Sequence, residues 1–121
     1  MTISNADFAL QCVNQGLFYG VNPHYVLAVA HIRSGIKDDT QGNEIGPFRF
    51  TQADWDAKLG DPKFDDDPPV AADINVPAIQ CLFATVQALN AQTKLVESLK
   101  RFPSPNELYA EWPKTPSEWR K

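Results

Sequence analysis

The sequence predicts an all-α domain with at most a small β-hairpin. Three observations lead there. Apolar residues recur at helical spacing in several separate segments. Helix-start signals (Asn22-Pro23, Thr51 with Asp54, Ser104-Pro105) stand directly before those segments. Stretches rich in Gly, Asp and Pro divide them. The chain has 121 residues, 43% hydrophobic and 21% charged. That is an ordinary globular composition, long enough for one domain with a single helical core and no need of metals or disulfides.

Each element follows from local chemistry. Ser4 or Asn5 can cap a first helix whose apolar positions are Phe8, Cys12, Val13 and Leu17. Gly16 weakens its end and Gly20 stops it. Asn22 and Pro23 start a second helix, since proline is tolerated in the first turn. It reads Tyr25, Val26, Leu27, Ala28, Val29, Ala30, Ile32, apolar nearly all round, and is therefore expected in the middle of the domain with Leu27, Ala30 and Ile32 buried. It ends at Ser34-Gly35. Residues 35 to 47 read as loop, and Pro47-Phe48-Arg49-Phe50 as a short extended piece, half of a small hairpin. Thr51 with Asp54 opens a third helix through Trp55 to Leu59. The acidic, proline-containing stretch 60 to 70 is a surface loop. Pro77 opens a long apolar helix through Ile79, Leu82, Phe83, Val86 and Leu89. A further helical segment carries Leu95, Val96, Leu99 and Phe102, with Asn90 the expected weak point between the two.

Near the end of the sequence, Ser104-Pro105-Asn106-Glu107 is a capping box that starts a short helix bearing Leu108, Tyr109 and Trp112. Thr115-Pro116-Ser117-Glu118 repeats the signal with three residues following it. A helix announced and then cut off reads as residues 1–121 forming one domain, the N-terminal part of a longer protein.

The charge balance narrows the functional classes. A formal net charge of -4 argues against a nucleic-acid binder. The acidity is partly local: Asp61, Asp65, Asp66, Asp67 and Asp73 lie close together with only Lys63 opposing them. This is the pattern of a solvated loop, with a cation site as the lesser alternative. Cys12 and Cys81 each sit in an apolar helical pattern and read as small buried hydrophobes rather than as a disulfide. Residues 1 to 20 lack a basic start followed by a long apolar run, and no stretch is apolar enough to span a membrane. The expectation is a cytoplasmic protein without membrane contact, with export by a specialised route as the alternative.

Three segments, in order, resemble the lysozyme-like lytic transglycosylases, which cleave peptidoglycan glycan strands. The first is Gly20-Val21-Asn22-Pro23 leading into Leu27-Ala28-Val29-Ala30-His31-Ile32-Arg33-Ser34-Gly35. In that family this helix ends in Glu-Ser-Gly, with the glutamate at the foot of the glycan cleft. The second runs from Gly42 to Trp55, through Ile45-Gly46-Pro47-Phe48-Arg49-Phe50-Thr51. It is similar to the family's Gly-Ala-Ile-Gly-Pro-Phe-Gln-Phe segment followed by a helix with tryptophan. The third, Pro105 to Tyr109, looks like a Pro-x-Glu-Leu-Tyr element of some members. The resemblance spans most of the chain and implies a lysozyme-like fold with Arg33, Ser34, Glu44, Phe48, Arg49, Phe50 and Trp55 around the old cleft.

The departures are decisive for chemistry. Arg33 stands where the family has its glutamate, Arg49 where it has glutamine, and the family's later Tyr-Asn motif is missing. A lytic transglycosylase uses one carboxyl group first as acid toward the glycosidic oxygen, then as base while the sugar's own hydroxyl closes the ring. That work needs a group that exchanges a proton near neutral pH. Guanidinium stays protonated and offers only donors. It also puts positive charge where an oxocarbenium-like transition state develops. The implied reaction is therefore lost, with Glu44 a weak substitute and Asp38 and Asp39 weaker ones; loop acids in solvent are the ordinary reading of all three.

Other constellations offer less. His24 and His31 are seven apart, about 10 Å along a helix axis, too far to share a metal ion, and His31 is expected partly buried beside the cleft. No cofactor or metal is expected. Phe48, Phe50, Trp55 and Trp112 read first as core; lining a cleft, they would stack on sugar rings or on a partner's side chains. Three functions follow: a degenerate lysozyme-like domain that binds a partner protein or positions a fused downstream domain, a non-catalytic peptidoglycan-binding module, and an active glycan-cleaving enzyme using a displaced acid. The first leads, and Arg33 is expected to pair with Glu44, Asp38 or Asp39.

Overall fold

A computed structural model of the chain describes residues 4–37, 39–64 and 68–111. The described part is mostly helical, with one two-stranded antiparallel hairpin. The expected Trp112, the second capping signal at Thr115 to Glu118, Asp38 and Asp65 to Asp67 lie outside the described residues.

Helix α1, Asn5–Tyr19, is capped by Ser4, whose hydroxyl accepts from the Asp7 N–H, and it closes on Gly20 at φ 73°. Phe8, Cys12 and Gly16 form its buried ridge at four-residue spacing. The helix continues three residues past Gly16; a Cβ there would meet the Val21 carbonyl oxygen at 2.6 Å, so the glycine lets the chain turn back tightly toward α2. Val13 and Leu17 do not join this ridge, and Leu17 is 73% exposed. Leu17 lies nine positions, two and a half turns, from Phe8, and so faces the other way.

Helix α2, Pro23–Ser34, starts as expected: Asn22 caps the His24 N–H, and Gly35 ends the helix at φ 68°. It is not central. Tyr25, Val26, Val29 and Ala30 are buried, Leu27 is half-buried, and Ile32 is 58% exposed. One arc of the helix packs on α1 and α4 while Leu27 and Ile32 fall beside or behind it. The central helix is α4, Pro77–Leu99, which passes through Asn90 without a break. Asn90 is half-buried and donates from Nδ2 to the Asp61 carboxylate at 2.7 Å, so its polar end is satisfied outside the helix backbone.

The hairpin falls earlier than expected. Strands β1, Thr40–Gln41, and β2, Glu44–Ile45, pair with Thr40 opposite Ile45 and Gln41 opposite Glu44, around Gly42 at φ 64°. Residues 46 to 49 form a turn rather than a strand, and Phe50 meets Ile45 in a single bridge with both backbone hydrogen bonds made. Thr51 then caps α3, Gln52–Lys58. A 3-10 turn over Ala71–Asn75, unforeseen in the sequence, leads into α4. Helix α5, Pro105–Ala110, carries the full Ser104–Glu107 capping box.

The turn before α3 delivers two rings to the centre. Phe48 and Phe50 stack at 5.9 Å; Phe48 touches Phe8 of α1, and Phe50 meets Trp55 of α3 and Phe83 of α4. Trp55 and Phe83 lie face to face at 4.0 Å and 12°. Aromatic pairs of this kind add to the area that each ring already buries. The Trp55 indole N–H donates to the Val70 carbonyl, so no polar atom of that ring is left unmet.

Candidate functional site

The site is built where the last turn of α2 meets the turn of residues 46 to 49. Val26, Val29, Ala30 and Arg33 share the inward arc of α2, which aims the Arg33 side chain at that turn. Its Nε donates to the Phe48 carbonyl at 2.5 Å and its Nη2 to the Arg49 carbonyl at 3.2 Å. As a cation in the last turn, Arg33 also complements the negative end of the helix dipole. Next to it, the Ser34 hydroxyl has two carbonyls within reach, Pro47 at 2.7 Å and Ala30 at 3.2 Å, and accepts from the Lys37 N–H. Three successive carbonyls, of Pro47, Phe48 and Arg49, are thus taken by the end of α2.

The other side of the turn is held by Gln80 of α4, fully buried. Its Oε1 accepts from the Phe48 N–H at 3.1 Å, and its Nε2 donates to the carbonyls of Ile45 at 2.9 Å and Ile74 at 2.7 Å. Gly46, at φ 75°, passes so close that a Cβ would collide with the Gln80 amide. Sequence reasoning missed Gln80; the one signal for it was an amide set among apolar neighbours in a helix otherwise fit for the core.

Arg49 takes a left-handed backbone, φ 56°, and is 6% exposed. Its Nη1 bridges to the Asp39 carboxylate and donates to the Asp39 carbonyl at 2.8 Å. That guanidinium holds the Asp39 carboxyl below its ordinary range, with smaller help from the Gln41 amide. Asp39, one of the acids expected to meet Arg33, is therefore the partner of Arg49. Glu44 is half-buried on β2, opposite Gln41.

The structure thus brings Arg33, Ser34, Phe48 and Arg49 into one hydrogen-bonded unit, with Glu44 on the adjacent hairpin. It turns the rings of Phe48, Phe50 and Trp55 into the core, where each is 5% exposed or less. Those rings pack the protein in this conformation and present no face to a ligand. His31, expected partly buried, is exposed, and with His24 borders a shallow apolar dish on the outer face of α2. A cavity of about 270 Å³ lies elsewhere, against the Phe83, Val86 and Gln87 stretch of α4 and the end of α3. Among the described residues no group of three or more His, Cys, Asp or Glu is arranged to hold a metal ion, and no helix is long and apolar enough to cross a membrane.

Chemically, the Arg33 unit is a donor array aimed at backbone oxygen. Guanidinium can fix a loop or hold an anion, and it cannot cycle a proton near neutral pH. The fold and site together define an all-α domain with a small hairpin whose buried turn is clamped from two sides. No protein-family model, no curated protein and no solved structure matches the chain.

Proposed function

We propose that this chain is a lysozyme-like domain without catalytic function, one that binds a partner protein or positions a fused domain. The observation that carries the reading is the use made of Arg33. At the place where the resembled family has its proton donor, this chain has a fixed cation whose donors hold the carbonyls of Phe48 and Arg49. The rings that would have offered sugar platforms are enclosed. What the chain does display is apolar side chains on the outer side of α1, where Leu10, Leu17 and Phe18 are exposed. Exposed apolar groups close together on one helix suit contact with another protein.

Incubation with purified peptidoglycan at pH values from about 4 to 9, where carboxylic and imidazole catalysts titrate, tests the loss of chemistry. The expected result is no release of anhydro-muropeptides at any pH. Product that forms reproducibly and disappears in Glu44→Gln would establish an active enzyme with a displaced acid. Calorimetric titration with chitooligosaccharides tests the other alternative: saturable binding would replace the protein-interaction reading with a glycan-binding module.

A further inference from the structure

Cys12 and Cys81 are the only cysteines of the chain. They lie 69 positions apart, on α1 and α4, and both are fully buried. Their sulfur atoms are nevertheless 3.3 Å from each other, against about 2.05 Å in a disulfide. Both are thiols in this structure. Each helix is fixed by its own packing, so the two sulfurs meet without a search. The Cys81 thiol is also held well above its ordinary pKa, first by its contact with Cys12 and then by burial. A neutral, enclosed thiol is a poor nucleophile. The closed fold therefore protects the pair from solution chemistry in either redox state.

We infer that the pair records the redox condition under which the chain folds: a disulfide forms when folding occurs with a disulfide oxidant such as oxidised glutathione, and a dithiol forms otherwise. The exchange balances in two steps. One cysteine thiolate attacks a glutathione sulfur, forming a mixed disulfide and expelling one glutathione thiolate. The second cysteine thiolate then attacks the protein sulfur of that mixed disulfide and expels the other glutathione. Two thiol protons leave to solvent or to the expelled thiolates, the cysteine pair is oxidised, and oxidised glutathione is reduced to two molecules of glutathione. The mixed disulfide has no room between α1 and α4, so these steps belong to the open or folding chain. Once closed, the bond staples the two helices, removes conformational freedom from the unfolded chain, and is hidden from reductant.

The full chain is unfolded in urea, supplied with a reduced and oxidised glutathione couple, and refolded by dilution. The expected product is monomeric and lighter by two hydrogen atoms than the reduced chain. It yields one linked peptide joining Cys12 to Cys81 and has a higher urea midpoint. Cys12→Ala, refolded in parallel, should show neither the linked peptide nor the midpoint shift. Dithiothreitol should reduce the refolded product slowly, and many-fold faster as urea opens the fold. A product with native circular dichroism that retains two free thiols, carries glutathione adducts or is linked between chains would overturn the inference. So would oxidation of the native dithiol as fast as that of the unfolded chain.

Discussion

Arg33 and Gln80 divide the backbone of one residue between them: Gln80 accepts from the Phe48 N–H, and Arg33 donates to the Phe48 carbonyl. The two come from different helices, α2 and α4. Phe48 is thereby seated in the core as a ring with both of its peptide groups met. A buried loop would otherwise carry unpaired polar groups, each costly to desolvate. The clamp explains how a turn, rather than a strand or helix, reaches the middle of this domain.

Gln80 serves three backbone groups at once. Gln80→Leu keeps the approximate volume and orphans the Phe48 N–H and the Ile45 and Ile74 carbonyls. The expected loss is about 3 kcal/mol or more, at the usual cost of buried groups left unpaired. Urea unfolding followed by circular dichroism measures it, and a variant within experimental error of the parent would show that the clamp does not matter.

Arg33→Glu replaces donors by acceptors facing the carbonyls of Phe48 and Arg49. It should lower stability by about 1 to 3 kcal/mol, the range for charge-assisted hydrogen bonds, and should not confer peptidoglycan cleavage. Recovery of glycan-cleaving activity in this variant would mean that the rest of an active centre had survived around position 33.

Gly46→Ala meets two obstacles: a left-handed backbone at φ 75° and the Gln80 amide in the way of any Cβ. The cost should be about 2 kcal/mol or more, from strain and overpacking together. Combining it with Gln80→Ala should give less than the sum of the two losses, because the collision is then gone. Strict additivity in that double-mutant cycle would place the strain elsewhere.

Core and surface should separate cleanly along the helices. Phe83→Ala removes the ring stacked on Trp55 and should cost about 3 to 5 kcal/mol, with a change in tryptophan fluorescence. Ile32→Ala, at an exposed site, should stay within about 0.5 kcal/mol. Leu27→Ala should lie between them, since Leu27 is half-buried.

Acid should expose the cap of α5. The Glu107 carboxylate is held down to about 2, chiefly by the Arg101 guanidinium and then by the Ser104 backbone N–H. A folded-state pKa below the unfolded one gives a contribution that is complete above about 4.5 and is lost as pH falls toward about 2. Glu107→Gln should therefore show a flatter fall in stability over that window than the parent. Parallel pH profiles of the two proteins would refute this.

Much of the fold is legible because helix starts are local chemistry. Ser4, Asn22 with Pro23, Thr51 and the Ser104–Glu107 box all cap where the sequence places them. What is not legible depends on neighbours distant in sequence. Asn90 looks like a break until Asp61, 29 positions away, is seen to take its side chain. Ile32 looks like core until the packed arc of α2 is known. Of the candidate site, the sequence draws notice to Arg33 through its place in the resembled motif, while it reads residues 47 to 50 as an extended piece where the structure has a turn. It hides Gln80, whose role exists only once α4 lies under that turn.

The contact between α1 and α4 has a consequence for how the protein is made. The apolar ridge of α1 is synthesised well before its main partner, which begins only at Pro77. Contacts this far apart in sequence close late. During synthesis Phe8 and Cys12 must stay without their final neighbours while some seventy further residues are added, and α2, next in order, is the first helix available that packs on α1 in the finished fold. The interval in which a nascent chain is most exposed to wrong partners is thus set by the position of α4 along the message, and a pause in translation before Pro77 would lengthen it.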